Sequence, residues 1–330
     1  MYNHKRKILF ERKFLGGIGM IVDFHCDTLY LAEKYGRDMT IKNTDGHIDL
    51  IRLEEGLVHL QVFAAFIEPE FMKKDAAAKT LKMIDKLYQA IEKSDRIKLI
   101  LSGDDIDEAK NKNKLGALLS IEGGEAIEGD LSLLRMFYRL GVRAMTLTWS
   151  LRNDIGDGVL GCKDCGITQF GESVIKEMNR LGMIVDVSHL NERGFWDVVD
   201  LCDKPFIASH SDCKALCNHP RNLSDKQIKA VADKNGVIGI NFCPDFLRED
   251  GNATIEDVLD HVEYIAKLVG AEHVGFGSDF DGIEKTPVGL HDVSCFPKVL
   301  EGLKKRGFND DEIDLISHGN FERIIKEILH

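Results

Sequence analysis

Eight short apolar, β-branched runs, each followed by turn residues, recur along the 330-residue chain at positions 21–24, 57–67, 116–121, 143–148, 183–187, 206–209, 237–241 and 274–277. Amphipathic helical patterns lie between them at 76–93, 131–140, 169–181, 192–201, 225–234 and 254–269. Gly141, Gly182, Gly236 and Gly270 stand just past four of these, where a left-handed cap favours glycine. Parallel neighbours need a crossover connection, so this alternation predicts an α/β fold on a parallel sheet. A ninth run, 97–101, reads as an extra element outside the main sheet.

Eight such units can close into a (β/α)8 barrel of the TIM type or lie open as a doubly wound sheet. Metal-capable side chains end strands one, three, five, six and eight of the series; a closed barrel gathers them at one mouth, whereas an open sheet strings them along a line. The barrel is therefore the expected fold. With no internal repeat and no Pro/Gly/Ser-rich linker, residues 20–330 read as a single catalytic domain. Residues 1–19 read as a non-native or disordered extension, with Met20 as the expected natural start.

No apolar run approaches the ~18–20 residues that cross a bilayer, and the basic N-terminus lacks the apolar core of a signal peptide. A net charge of −12 disfavours nucleic acid and anionic lipid as partners. A soluble, cytoplasmic protein is expected. Eight cysteines are too few for a disulfide scaffold, and most are expected as reduced thiols. The Cys162-Lys163-Asp164-Cys165 pair has no second CxxC to complete a zinc site and reads as loop decoration. Cys213 and Cys217 read as helix or loop thiols.

His25 and Asp27 close the first strand two residues apart, so in an extended chain an imidazole and a carboxylate share one face and can share one cation. His47-Ile48-Asp49 repeats the pattern but precedes a helix-like stretch, so it reads as structural. Glu122 emerges from an apolar run ahead of Gly123 and Gly124; it is either a bridging carboxylate or an acid at a helix N-terminus. His189 and His210 end two consecutive strands. Together these five groups suffice for two divalent ions ~3.5–4 Å apart with an activated hydroxide between them. Asp279 leaves the last strand, where a carboxylate can move a proton between water and a leaving amine. Asp281 reads as a turn carboxylate before Gly282, and Arg221 offers a planar fork for a substrate carboxylate.

These residues, in DFHCDTL, HIDLIRLEEG, SIEGGEA, LGVRAMTLTW, VDVSHL, ASHSDCKALCNHPRNLSD and VGFGSDFDG, resemble in order the motifs of the membrane (renal) dipeptidase family, peptidase family M19. The similarity runs from about Val22 to the C-terminus. It implies an amidohydrolase-like barrel with two Zn2+ per chain, or another divalent ion, and a small dipeptide as substrate, L-L and in some cases L-D. It implies His25 and Asp27 on one ion, His189 and His210 on the other, Glu122 bridging, Asp279 as proton shuttle and Arg221 on the substrate's carboxylate. It also suggests a homodimer. One position departs: mammalian members carry a carbonyl-polarising histidine at the end of strand four, where this chain has Trp149, here expected to contact substrate. Those members are exported and lipid-anchored, and the chain is more similar to the soluble bacterial branch. The competing expectations are a binuclear-metal amidohydrolase for another small amide or lactone, decided by the loop 152–166, and a non-catalytic barrel that keeps the fold.

Overall fold

The computed structural model describes residues 20–72 and 74–329; the expected extension 1–19 lies outside them. Nine parallel strands form one sheet: β1 (Ile21–Asp23), β2 (Val58–Phe66), β3 (Ile97–Leu99), β4 (Leu115–Glu122), β5 (Val142–Thr146), β6 (Ile184–Asp186), β7 (Ile207–Ala208), β8 (Val237–Ile240) and β9 (Val274–Phe276). β2 pairs with β4 from Leu60↔Gly116 to Phe66↔Glu122, and β1 pairs with β9 at Asp23↔Phe276, so eight strands close on themselves. β3 pairs only with the start of β4 and stays outside the ring, as expected of the ninth run. The fold is a (β/α)8 barrel.

Strand periodicity divides the core in two. Ile21, Phe63, Ala65, Leu119, Val185 and Ile238 pack outward with the helices, while their neighbours Val22, Leu60, Val62, Leu118, Ile184 and Val237 form a second cluster inside. That inner cluster takes in Phe321, Ile324, Ile325 and Ile328 of the helix Asn320–Ile328. The Phe321 ring stacks on Phe24 with centroids 4.0 Å apart. Asn320 donates to the carbonyls of Ala271 and Val274 at the start of β9, and Glu322 lies 2.7 Å from Nε2 of His59 at the start of β2. This helix plugs the barrel where the strands begin. The opposite end, where they finish, is left for polar side chains.

The outer helices follow their sequence pattern. Ala76–Lys93 buries Ala76, Thr80, Met83, Ile84, Leu87 and Ala90, an i, i+4, i+7, i+8 stripe. Ser102, Ser224 and Thr254 close capping boxes with Asp105, Gln227 and Asp257. Several helices carried too weak a signal to be anticipated, among them Thr28–Tyr35, Gly103–Asn111, Phe296–Lys305 and the plug. None of the described helices is long and apolar enough to cross a membrane.

Six of the eight cysteines are free, as expected of most of them, and the loop pair Cys162 and Cys165 forms a disulfide. The Asn191 amide donates to the carbonyls of both, 2.7 Å each, and the turn so held brings their Cα atoms to 5.2 Å. Asp281 is more than a turn residue. Its fully buried carboxylate accepts from Arg37 Nη1 at 3.1 Å, Thr28 Oγ1 at 2.7 Å and the His47 amide, and its own N–H donates to His47 Nδ1. His47 is thereby structural, and Asp49 caps the helix Leu50–Glu55 and pairs with Arg52 Nε at 2.7 Å.

Candidate metal centre

Six side chains from five strand ends meet at the open mouth of the barrel. His25 and Asp27 follow β1, and Asp27 precedes the helix Thr28–Tyr35. Between them the Cys26 thiol turns away and donates to the Val62 carbonyl. Glu122 is the last residue of β4; Gly123 then takes φ +98°, where a side chain would collide with Glu125, and the chain turns away at once. His210 follows β7. Gly239 on β8 and Gly277 after β9 both face the Ser209 carbonyl so closely that neither has room for a Cβ, and this approach fixes the backbone that presents His210. His189 and Asp279 adopt left-handed backbone at φ +69° and +61°, conformations costing about 1–2 kcal/mol outside glycine. The surrounding fold holds them there.

His25 Nε2 lies 3.5 Å from Asp27 Oδ2, 3.4 Å from Glu122 Oε2 and 3.8 Å from Asp279 Oδ1. On the other side of Glu122, its Oε1 lies 2.8 Å from His189 Nε2 and 3.7 Å from His210 Nε2, and the two imidazole nitrogens are 2.8 Å apart. Glu122 therefore stands between two groups, as a bridging residue would. The division is less sharp than the resemblance implied. His25, Glu122 and His210 converge as closely as His25, Asp27 and Asp279 do, so Asp279 stands among the ligand-type groups as well.

Burial and charge set the protonation states. Burial pushes His189 down to about 4, helped by Arg221, and His210 well below its ordinary value, helped by His25. Both are neutral at pH 7, the form that binds a cation. Burial opposes a charge on His25, but Glu122 and Asp27 outweigh it and hold its pKa well above the ordinary range. Burial likewise opposes ionisation of Glu122, and His25 and His189 keep it ionised. Burial and the Glu122 charge raise Asp27, and burial raises Asp279. Such a buried set of acids around one imidazolium is matched to added positive charge.

Two buried atoms, His25 Nε2 and Asp27 Oδ1, have no hydrogen-bond partner. The 3.4–3.8 Å from His25 Nε2 to three carboxylates exceeds hydrogen-bond range but is close to the ~3.4–3.6 Å that separates two ligands of a tetrahedral ion with bonds near ~2.0–2.3 Å. Three imidazoles with carboxylates form a donor set suited to zinc-like divalent ions. The residues present fit a metal centre.

Sequence reading missed the groups behind these. Asp186, at the end of β6, accepts from Ser209 Oγ at 2.5 Å, Ser209 N at 2.9 Å, Ser188 N at 3.0 Å and Thr146 Oγ1 at 2.6 Å. Ser209 Oγ has one proton and gives it to Asp186, so at its 2.7 Å contact with His210 Nδ1 it accepts, leaving Nε2 bare toward the centre. Ser150 Oγ contacts His189 Nδ1 at 3.0 Å. Asp23, pushed up to about 6 by burial, accepts from Ser278 N and Oγ and so ties β1 to the turn carrying Asp279. Asn241 donates to Asp279 Oδ2 at 2.9 Å. Carboxylates such as Asp23 and Asp186 inside apolar strand runs were the available signal.

The centre opens into a cavity of about 870 Å³ whose wall includes Asp27, Glu122, His189, Asp279, Trp149 and Arg221. Arg221 is buried, not solvated. Its Nη2 donates to the His210 carbonyl at 3.0 Å, its guanidinium lies 5.5 Å from the Phe246 ring centre, and Nε and Nη1 have no partner. Trp149 stands between Phe66 and His189, with ring centroids 5.5 and 6.1 Å away.

A family profile described as membrane dipeptidase (peptidase family M19) matches residues 15–330. The chain is 35% identical to an uncharacterised dipeptidase of Schizosaccharomyces pombe, covering 93% of this chain and 80% of that one. It is 31% identical to dipeptidase 3 of Mus musculus, again over 93% of this chain but 64% of the mouse protein. Among solved structures, a metallopeptidase from Rhodobacter sphaeroides, liganded with a phosphinate mimic of the dipeptide L-Ala-D-Ala, superposes with a TM-score of 0.88 at 29% identity, covering 94% of this chain and 99% of that one. Dipeptidase AC, described as a family M19 metallopeptidase, superposes with a TM-score of 0.89 at 30% identity over the same shares.

Proposed function

We propose, from the premise that the chain belongs to the membrane dipeptidase family, peptidase family M19, and is a metallo-dipeptidase, that it hydrolyses small dipeptides with a free C-terminal carboxylate, L-D as well as L-L. The observation that carries this reading is the shared cavity: Arg221, with two unpartnered N–H-bearing nitrogens, opens into the same space as Glu122 and Asp279.

His25, Asp27, Glu122, His189 and His210 would hold two Zn2+, or another divalent ion, with Glu122 between them. Ions bound there supply a lowered water pKa and polarisation of the peptide carbonyl. The protein's own residues do the rest. Arg221 binds the substrate carboxylate through its unpartnered N–H groups, in a buried site where that pairing excludes water. Asp279, with Oδ2 held by Asn241, has Oδ1 free to take a proton from the attacking water. The hydroxyl goes to the carbonyl carbon, the C–N bond breaks, and Asp279 returns the proton to the leaving amine. Burial, which raises the Asp279 pKa, favours its holding that proton between the two transfers. Trp149 and Phe66 supply an apolar wall on the substrate side. The L-D preference draws on the L-Ala-D-Ala mimic bound by the Rhodobacter sphaeroides neighbour.

The test is hydrolysis of L-Ala-D-Ala and L-Ala-L-Ala beside their C-terminal amides, before and after removal of divalent ions. Turnover of the free acids far faster than that of the amides, lost on chelation and restored by Zn2+, is expected; equal turnover of the amides would overturn the reading. A finer prediction concerns Ser209. Ser209→Ala removes the acceptor that orients His210 and is expected to weaken metal binding by about 10–100-fold. Metal titration checks it, and unchanged affinity would remove the Asp186–Ser209 chain from that role.

A further inference from the structure

A second cluster of ligand-type side chains lies outside the catalytic cavity. His291, Asp292 and Cys295 surround the short turn Val293–Cys295 that leads into the helix Phe296–Lys305, and none of them lines that cavity. We propose that these three residues form a separate binding site for a zinc-like divalent cation.

The local sequence builds the cluster. The extended residue Asp292 and the short turn after it fold His291 back on Cys295, with His291 Nδ1 3.2 Å from Cys295 Sγ. Asp292 caps the turn: its Oδ1 accepts from the Ser294 N–H at 2.9 Å and the Ser294 hydroxyl at 2.5 Å, and this fixes the carboxylate with Oδ2 turned toward His291. His291 Nε2 is 3.7 Å from Cys295 Sγ and 3.7 Å from Asp292 Oδ2, and one ligand atom from each of the three residues lies within 4.8 Å of the others. Ligands on a tetrahedral zinc ion, with bonds near ~2.0–2.3 Å, stand ~3.4–3.6 Å apart. Small side-chain adjustments satisfy that geometry without moving the backbone.

The donor set selects the ion. Sulfur, imidazole and a single carboxylate suit zinc, cobalt or cadmium and give calcium and magnesium too few oxygens. On binding, the Cys295 thiol releases its proton to solvent and the cation takes its place. Two cations already face the group: Lys298 Nζ is 3.6 Å from the sulfur and 3.1 Å from the Gly289 carbonyl, and Arg52 Nη1 is 3.5 Å from Asp292 Oδ2. Lys298 is exposed and can swing into water, while Arg52 is held mainly by Asp49 and the Gly46 carbonyl. Cys295 is buried and His291 is 71% exposed, so protein ligands fill one side and solvent supplies the fourth position.

Cobalt distinguishes this site from the catalytic one. The ligand atoms clustered around His25 are nitrogen and oxygen, whereas Cys295 would add a near-ultraviolet sulfur-to-cobalt charge-transfer band. The full chain, stripped of divalent ions and titrated with Co2+, is expected to develop that band, and Cys295→Ser to abolish it while dipeptidase activity remains. His291→Ala alters an exposed side chain and serves where Cys295→Ser perturbs folding. It is expected to weaken the cobalt affinity read from the band by at least the ~10-fold that loss of even an outer-shell partner costs. No band in the unaltered protein would overturn the proposal. So would a band surviving Cys295→Ser, as from Cys162 and Cys165 once reduced, or one titrating identically in His291→Ala.

Discussion

An Asp279→Asn enzyme is expected to lose about 10²–10⁴-fold in kcat, the range that general acid–base catalysis contributes. The amide keeps the shape and can still contact Asn241, but it can neither accept the proton of the attacking water nor return it to the amine. Because Asp279 Oδ1 also lies 3.8 Å from His25 Nε2, within the ligand-type cluster, a fall in kcat has two possible origins that metal analysis separates. Unchanged metal content with severely reduced kcat assigns the proton transfer to Asp279. Loss of an ion instead makes Asp279 a ligand, and near-normal turnover removes it from the mechanism.

Replacing Arg221 by Met should act on the free carboxylate. Truncating one partner of a buried charge pair costs about 2–5 kcal/mol, which at ~1.36 kcal/mol per decade is roughly 30- to 5,000-fold in kcat/KM for dipeptides. The same substitution should barely affect a C-terminal amide, which has no charge to offer the guanidinium. The diagnostic quantity is therefore the ratio of kcat/KM for acid and amide, which is expected to collapse toward unity in Arg221→Met; an undiminished ratio would reject the assignment. Since Arg221 also donates to the His210 carbonyl, metal content again serves as the control.

Much of the centre was legible because a barrel converts a one-dimensional regularity into a three-dimensional one. A polar side chain at the carboxyl end of any strand reaches the same mouth, so His25, Glu122, His189, His210 and Asp279 could be recognised from their places after apolar runs. His47-Ile48-Asp49, the same residue types ahead of a helix, stayed out of the centre for the same reason: it ends no strand. The plug helix was harder to anticipate. Its apolar stripe resembles that of an outer helix, and only the closed ring shows that it faces the inside of the barrel.

The sequence by itself determined the alternation of strand and helix, the closed architecture and the residue types at the rim, because backbone periodicity and turn chemistry act over a few residues. Tertiary structure alone decided what those residues became. The Asp281 carboxylate is buried because Arg37, 244 positions away in the chain, reaches it, and Arg221 keeps two unpartnered nitrogens in the folded chain. Asn241, Asp186 and Ser209 acquired their roles in the same way, and the Asn191 amide holds the Cys162–Cys165 turn from across a loop. Burial and electrostatic coupling belong to neighbours in space, and spatial neighbours from distant parts of the chain exist only once the ring has closed.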